Sequence, residues 1–171
     1  MRKSTTGATN LALLPSAGLR IVLHGTTQLE ENQQAKNAFI VAANRWEAVI
    51  TNPITVVIDV DFGPTFFGQP YPDPGILGQT GTSATTGPYT DLRERLINHA
   101  SNSSELQLYN ALPATAVPID LNGTASEATS VRVVFPLARA LGIVPDISNP
   151  DSLPLGQGDA GIGFNSAFQF D

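Results

Sequence analysis

TTQLEENQQAKNAFIVAANRWEAVITNPITVVIDVDF, residues 26–62, decides the fold class. Thr27 and Glu30 have the Thr-x-x-Glu spacing of a capping box, in which each side chain satisfies a free backbone N–H at a helix start. Glu30 and Glu31 in the first turn suit the positive end of the helix dipole. Phe39, Ala42, Ala43, Trp46, Val49 and Ile50 recur at spacings of three and four. One long amphipathic helix is therefore expected, with these residues inward. Lys36, Asn37, Asn44, Arg45 and Glu47 fall mostly on its other face. Asn52-Pro53 stops it, because proline disfavours helical geometry in the residue before it. Ile54–Phe62 then alternates as a strand. Ile54, Val56, Ile58, Val60 and Phe62 form the face expected against the helix, and Thr55, Val57, Asp59 and Asp61 the more polar one.

Outward from this block, Leu19–His24 (LRIVLH) reads as a short strand closed by Gly25. Residues 1–18 read as a flexible leader. Residues 63–88 are rich in proline and glycine and read as a long loop, with a short strand at Ile76–Thr80. Tyr89–Ala100 reads as a second, shorter helix with Thr90 as its cap and Leu92, Leu96 and Ile97 inward. A further helical turn is expected over Ser104–Leu112 and a turn at Asn122-Gly123. Val131–Phe135 reads as a strand, followed by a short helix from Pro136 that Gly142 ends. Another loop over residues 144–159 leads to a strand-like segment, Ala160–Asp171. The fold class is α+β, in a single domain over residues 19–171.

Composition excludes several functions. Fifteen acids against nine bases give a net charge of −6 with no basic cluster, so nucleic acid is not expected as a partner. The absence of cysteine removes disulfide scaffolds, thiolate zinc sites and thiol nucleophiles. No apolar run approaches the ~20 residues that span a bilayer. Arg2 and Lys3 precede a short apolar patch, Leu11–Leu14, which Pro15 breaks below the length of a secretion signal.

Candidate chemistry is sparse. His24 and His99 are the two histidines, far apart in sequence and without the three-ligand set of catalytic zinc; they read as a strand-end and a helix-end residue. Asp59 and Asp61 lie two apart on one strand, so both carboxylates project to the same side. They are the Ca²⁺ candidates, although Ca²⁺ takes six or more oxygens and a solvated polar face accounts for them as well. Asp151 and Asp159 read as turn residues, and Asp171 ends the last strand-like segment. Trp46 reads as core. No catalytic or cofactor-binding residue is assigned.

Ala38–Phe62 (AFIVAANRWEAVITNPITVVIDVDF) resembles the Ala-x-x-x-Ala-x-x-x-Trp helix and following strand of the metzincins, and more broadly the N-terminal half of secreted bacterial zincin-type zinc metalloproteases. Gly158–Asp171 (GDAGIGFNSAFQFD) is similar to the segment that lies shortly before the catalytic helix in such enzymes. Ile76–Thr80 and Ala138–Ile143 add smaller likenesses. The resemblance implies a zincin-like, twisted mixed sheet backed by the long helix, with a cleft along one edge strand. It implies zinc for a complete family member, a peptide or protein substrate, and an extracellular or cell-surface location. The family's His-Glu-x-x-His helix would begin beyond Asp171, so none of its catalytic residues has a counterpart here. The expected function is the N-terminal scaffold of a zinc endopeptidase, inactive alone and completed by a C-terminal catalytic segment. The alternative is a non-catalytic extracellular module that binds partners or self-associates through an open sheet edge.

Overall fold

The computed structural model describes residues 18–170; residues 1–17 of the leader expected over 1–18, and Asp171, lie outside the described residues. In chain order the elements are β1 (Arg20–Gly25), α1 (Thr27–Glu30), α2 (Gln33–Glu47), β2 (Thr55–Gly63), β3 (Thr65–Phe66), β4 (Gln69–Pro70), β5 (Gly78–Thr82) and β6 (Ala84–Pro88). There follow α3 (Tyr89–Asn98), α4 (Ser103–Asn110), β7 (Val117–Leu121), β8 (Thr124–Ala128), β9 (Ser130–Val134), α5 (Phe135–Ala140), a 3-10 turn (Pro150–Ser152) and β10 (Ala160–Asn165). The chain is α+β, and the expected single-domain span contains two compact units. Of the described residues, one comprises those through Ser83 and from Asp146 onward; the other is Ala84–Pro145.

The first unit is built on a mixed sheet in the order β1-β2-β10-β5. β1 and β10 run parallel to β2, and β5 pairs antiparallel with β10 to form an edge. The register sets His24 beside Asp59, Gly163 beside Asp61, and Phe164 beside Phe62. Leu19, Val22, Leu29, Ala43, Val57 and Val60 are its buried apolar side chains.

The helix expected as one piece from Thr27 divides in two. Thr26, not Thr27, caps α1, accepting the Leu29 N–H at 3.3 Å. Asn32 caps α2 by accepting the Ala35 N–H at 3.0 Å. Asn competes for backbone N–H groups in just this way and so favours a cap over a helix interior.

The inward face of α2 is also rotated from the expected one. Phe39, Ala43 and Ile50 do turn inward, together with Ile40, Lys36 and Glu47. Trp46 is 60 % exposed and Val49 68 %, so the expectation of a core Trp46 is corrected. Two polar contacts fix the rotation. Glu47 accepts the backbone N–H of Ile21 in β1, and Lys36 pairs with Glu30 of α1. Those side chains were expected outward, and drawing them in moves Trp46 out.

The stretch expected as one loop, residues 63–88, holds four short strands, of which β5 covers most of the predicted Ile76–Thr80 segment. In the second unit, β6 pairs with β9, and β7 with β8 around Asn122-Gly123. Asn122 and Gly123 have φ of 56° and 81°, the left-handed pair that a two-residue hairpin turn requires. α3 starts without a side-chain cap; Thr90 instead touches Asp91. Tyr89 is buried and donates from its hydroxyl to the Pro113 carbonyl at 2.9 Å. α5 ends at Gly142, whose φ is 63°.

Candidate functional site

The strand β2 separates two surfaces of the first unit. Val60 and Phe62 face α2, and alternation turns Val57, Asp59 and Asp61 to the opposite face. That opposite face was expected to be solvated. It is the more deeply buried one: Val57 and Asp61 are 0 % exposed and Asp59 4 %. Its cover comes from the β3–β4 hairpin, which follows β2 directly, and from the sequence-distant segment from Pro150 to Asp159.

Each acid on this face is held by donors. Asp61 accepts hydrogen bonds from the Thr26 hydroxyl, from Gln28 Nε2 at 2.6 and 2.7 Å, and from the Phe67 N–H at 2.6 Å. Asp59 Oδ2 accepts the Gly156 N–H at 2.8 Å. Asp159, 3 % exposed, accepts the Val57 N–H at 2.9 Å and returns its own N–H to the Val57 carbonyl at 2.7 Å. Asp151 is exposed and forms a two-pronged pair with Arg20 at 3.0 Å. These carboxylates therefore act as fasteners that tie loop backbone to the sheet.

Asp59 Oδ1 is the exception. It lies 3.5 Å from His24 Nδ1, yet neither that oxygen nor either ring nitrogen of His24 has a hydrogen-bond partner. His24 is itself 8 % exposed, at the end of β1 as expected. His99 is the C-cap residue of α3, in the second unit.

Tyr71 follows the β3–β4 hairpin and lies near Phe66, with ring centroids 6.2 Å apart and the ring planes tilted by 50°. Its hydroxyl is buried without a partner. Burial raises its phenol above the ordinary tyrosine value, and the Asp61 carboxylate adds to the shift. A raised phenol contributes stability that is fully present below the ordinary value of about 10 and is lost as pH rises through the higher folded value. Phenolate absorbance is expected to show a phase above the ordinary range that disappears in Tyr71→Phe. A phase that survives the substitution would contradict this.

The resemblance implies zinc only for a complete family member, on residues beyond Asp171. Among the described residues no group of three or more His, Cys, Asp or Glu could hold a metal ion. The Asp61 oxygens and Asp59 Oδ2 already face N–H or O–H hydrogens, the wrong polarity for a cation's neighbours. The same holds for Ca²⁺ at Asp59 and Asp61, which share a side as expected but do not form an open oxygen cage.

On the α2 side the sheet carries aromatic side chains that little covers. Phe164 of β10 is 38 % exposed and Phe170 42 %. Their rings form a chain: Phe39 to Phe164 at 5.8 Å, Phe164 to Phe170 at 5.5 Å, and Phe170 to Phe62 at 6.1 Å. α2 covers the β1 end of this face and leaves the β10 end open. Among the described residues, no helix is long and apolar enough to cross a membrane. No family model, no curated protein and no solved structure matches the chain.

Sequence reasoning missed the cleft beside Asp59. It occupies about 860 Å³ on the face opposite α2 and is lined by Asp59, Phe66, Phe67, Leu155 and several glycines. The one signal for it was the pair of acids on a strand face with too few apolar residues.

Proposed function

We propose that the chain is the N-terminal scaffold of a secreted, zincin-like zinc endopeptidase, inactive alone and completed by a segment that carries the metal. The observation that carries this reading is the open aromatic face formed by Phe39, Phe62, Phe164 and Phe170 beside α2. Clustered, half-exposed rings of this kind mark a surface that something covers. An amphipathic helix following the Phe-Asp ending is the covering element that the metzincin resemblance supplies. The mixed sheet, the helix on one face and the antiparallel edge strand β5 are compatible with that reading. No step of hydrolysis is assigned to residues of this chain.

The coding DNA beyond the Asp171 codon tests the proposal. An in-frame His-Glu-x-x-His within a few tens of codons is expected; a reading frame that closes without it contradicts the assignment.

A second reading, a self-assembling or partner-binding extracellular module, is favoured by one feature. Val41 and Trp46 on α2 and Val49 just past its end are exposed apolar side chains, and β5 is the edge of its sheet among the described residues, a template for another chain. Size exclusion with light scattering separates the two: a stable, defined oligomer favours this module, and an ill-defined aggregating chain favours the severed scaffold.

A further inference from the structure

Independently of the protease reading, we propose that the cleft on the Asp59 face binds a small neutral aromatic molecule, its ring laid on the bare backbone at Gly81. The cleft's volume of about 860 Å³ lies within the range of about 300–1,000 Å³ usual for small-molecule sites. Register puts Asp59, Gly161 and Gly81 side by side on β2, β10 and β5, and residues directly opposite across strands share a face. All three line the cleft. Its floor on β10 and β5 is therefore backbone without side chains.

Rings from the β3–β4 hairpin already cover the β10 glycines of this face. A Cβ on Gly163 would lie 2.6 Å from the Phe66 ring, and one on Gly161 3.3 Å from the Phe67 ring. A Cβ on Gly81, beside Gly161, would meet nothing within 4 Å. The two phenylalanine rings stand edge to face, with centroids 4.8 Å apart. A third ring over Gly81 continues this aromatic row, and aromatic pairs add affinity beyond the area they bury. Leu155, which is 51 % exposed, supplies further apolar lining. The row is also held in place: Phe67 has a φ of 48°, rare for a bulky residue, and the Asp61 carboxylate fixes it through its N–H at 2.6 Å.

Charge selects a neutral occupant. Among the described residues no Lys, Arg or His lines the cleft, and Asp59 is its one acid. That acid is closed to a ligand. Its Oδ1 is buried 3.5 Å from His24 Nδ1, and its Oδ2 accepts the Gly156 N–H. Gln28 Nε2 and the Thr26 hydroxyl are turned to Asp61, and the Ser83 hydroxyl donates to the Gly158 carbonyl. A charged ligand would lose water here and gain no counter-charge, a cost that a neutral ring does not meet.

Amide NMR titration of the chain with benzyl alcohol, cyclohexylmethanol, benzylamine and benzoate tests the assignment. Saturable one-to-one binding of benzyl alcohol is expected, with shifts centred on the Gly81 and Gly161 amides. Cyclohexylmethanol should bind about 2- to 10-fold more weakly, the worth of an aromatic pair. Benzylamine and benzoate should each bind at least about 10-fold more weakly, because each must be desolvated. Gly81→Phe places a ring covalently over the same backbone. It is expected to abolish benzyl alcohol binding while raising Tm by about 2–4 °C, since an aromatic replaces glycine in a strand. If Gly81→Phe fails to fold, the four ligands on the native chain still decide. No saturable benzyl alcohol binding, shifts centred elsewhere, equal binding of all four ligands, or undiminished binding in a folded Gly81→Phe would overturn the proposal.

Discussion

Asp61→Ala is expected to lower the free energy of unfolding by about 3–5 kcal/mol, measured by urea denaturation. Asp61 is 0 % exposed and accepts from the Thr26 hydroxyl, from Gln28 Nε2 at both of its oxygens, and from the Phe67 backbone N–H. Alanine leaves the half-buried Thr26 hydroxyl and Phe67 N–H without this acceptor, each at a cost of about 1–3 kcal/mol, reduced where water can enter, while Gln28 Nε2 keeps the Thr65 carbonyl at 2.9 Å. It also frees Phe67 to leave its left-handed conformation, which offsets part of the loss. Asp61→Asn places an NH₂ group against the same donors and is expected to recover only part of the stability. Since a domain has only about 5–15 kcal/mol in total, the alanine variant should sit near the unfolding threshold. A loss under about 1 kcal/mol would mean that water or rearranged loops replace the network.

Leu29→Ala is expected to cost about 2–5 kcal/mol, the range for truncating a buried leucine to alanine. Leu29 is 1 % exposed, and α1, which carries it, has four residues. So short a helix has no stability of its own; Leu29 on one side and the Gln28–Asp61 bonds on the other hold it to the sheet. Removing Leu29 should loosen Gln28 as well. The double variant Leu29→Ala with Asp61→Ala should therefore lose less than the sum of the single losses, as expected for contacts that share one element. Strict additivity in the denaturation cycle would show that α1 is anchored independently at the two points.

The alternation of residues 54–62 was enough to place β2, and local signals placed β1, α3, α4, β9 and α5 within a few residues. These are segments whose pattern or punctuation is carried in neighbouring positions. Five features needed information from elsewhere in the chain. The Asp59–Asp61 face is buried because the Phe67 and Gly156 N–H groups arrive from segments with no periodic pattern. The phase of α2 was ambiguous, since the apolar arc through Phe39 and Ala43 can extend either to Ile40 or to Ala42, Trp46 and Val49. Glu47 on Ile21 and Lys36 on Glu30 chose the first. Between adjacent threonines, Thr26 takes the cap while its hydroxyl reaches Asp61. β5 reads Gly-Gln-Thr-Gly-Thr, poor in strand-forming side chains, and exists because β10 pairs with it. The cleft escaped notice for a related reason: its lining is assembled from residues 26–28, 59, 66–68, 81–83, 155, 156, 158, 160 and 161.

The central claim is that this chain is the scaffold on which a following segment mounts a zinc site. Zinc content, with peptidase activity, should be measured on the chain ending at Asp171 and on the product extended through its downstream codons. The account predicts no stoichiometric zinc and no hydrolysis for the first, and one zinc per chain with hydrolysis for the second. One tightly bound zinc in the chain ending at Asp171, or an extended product without zinc, would contradict it.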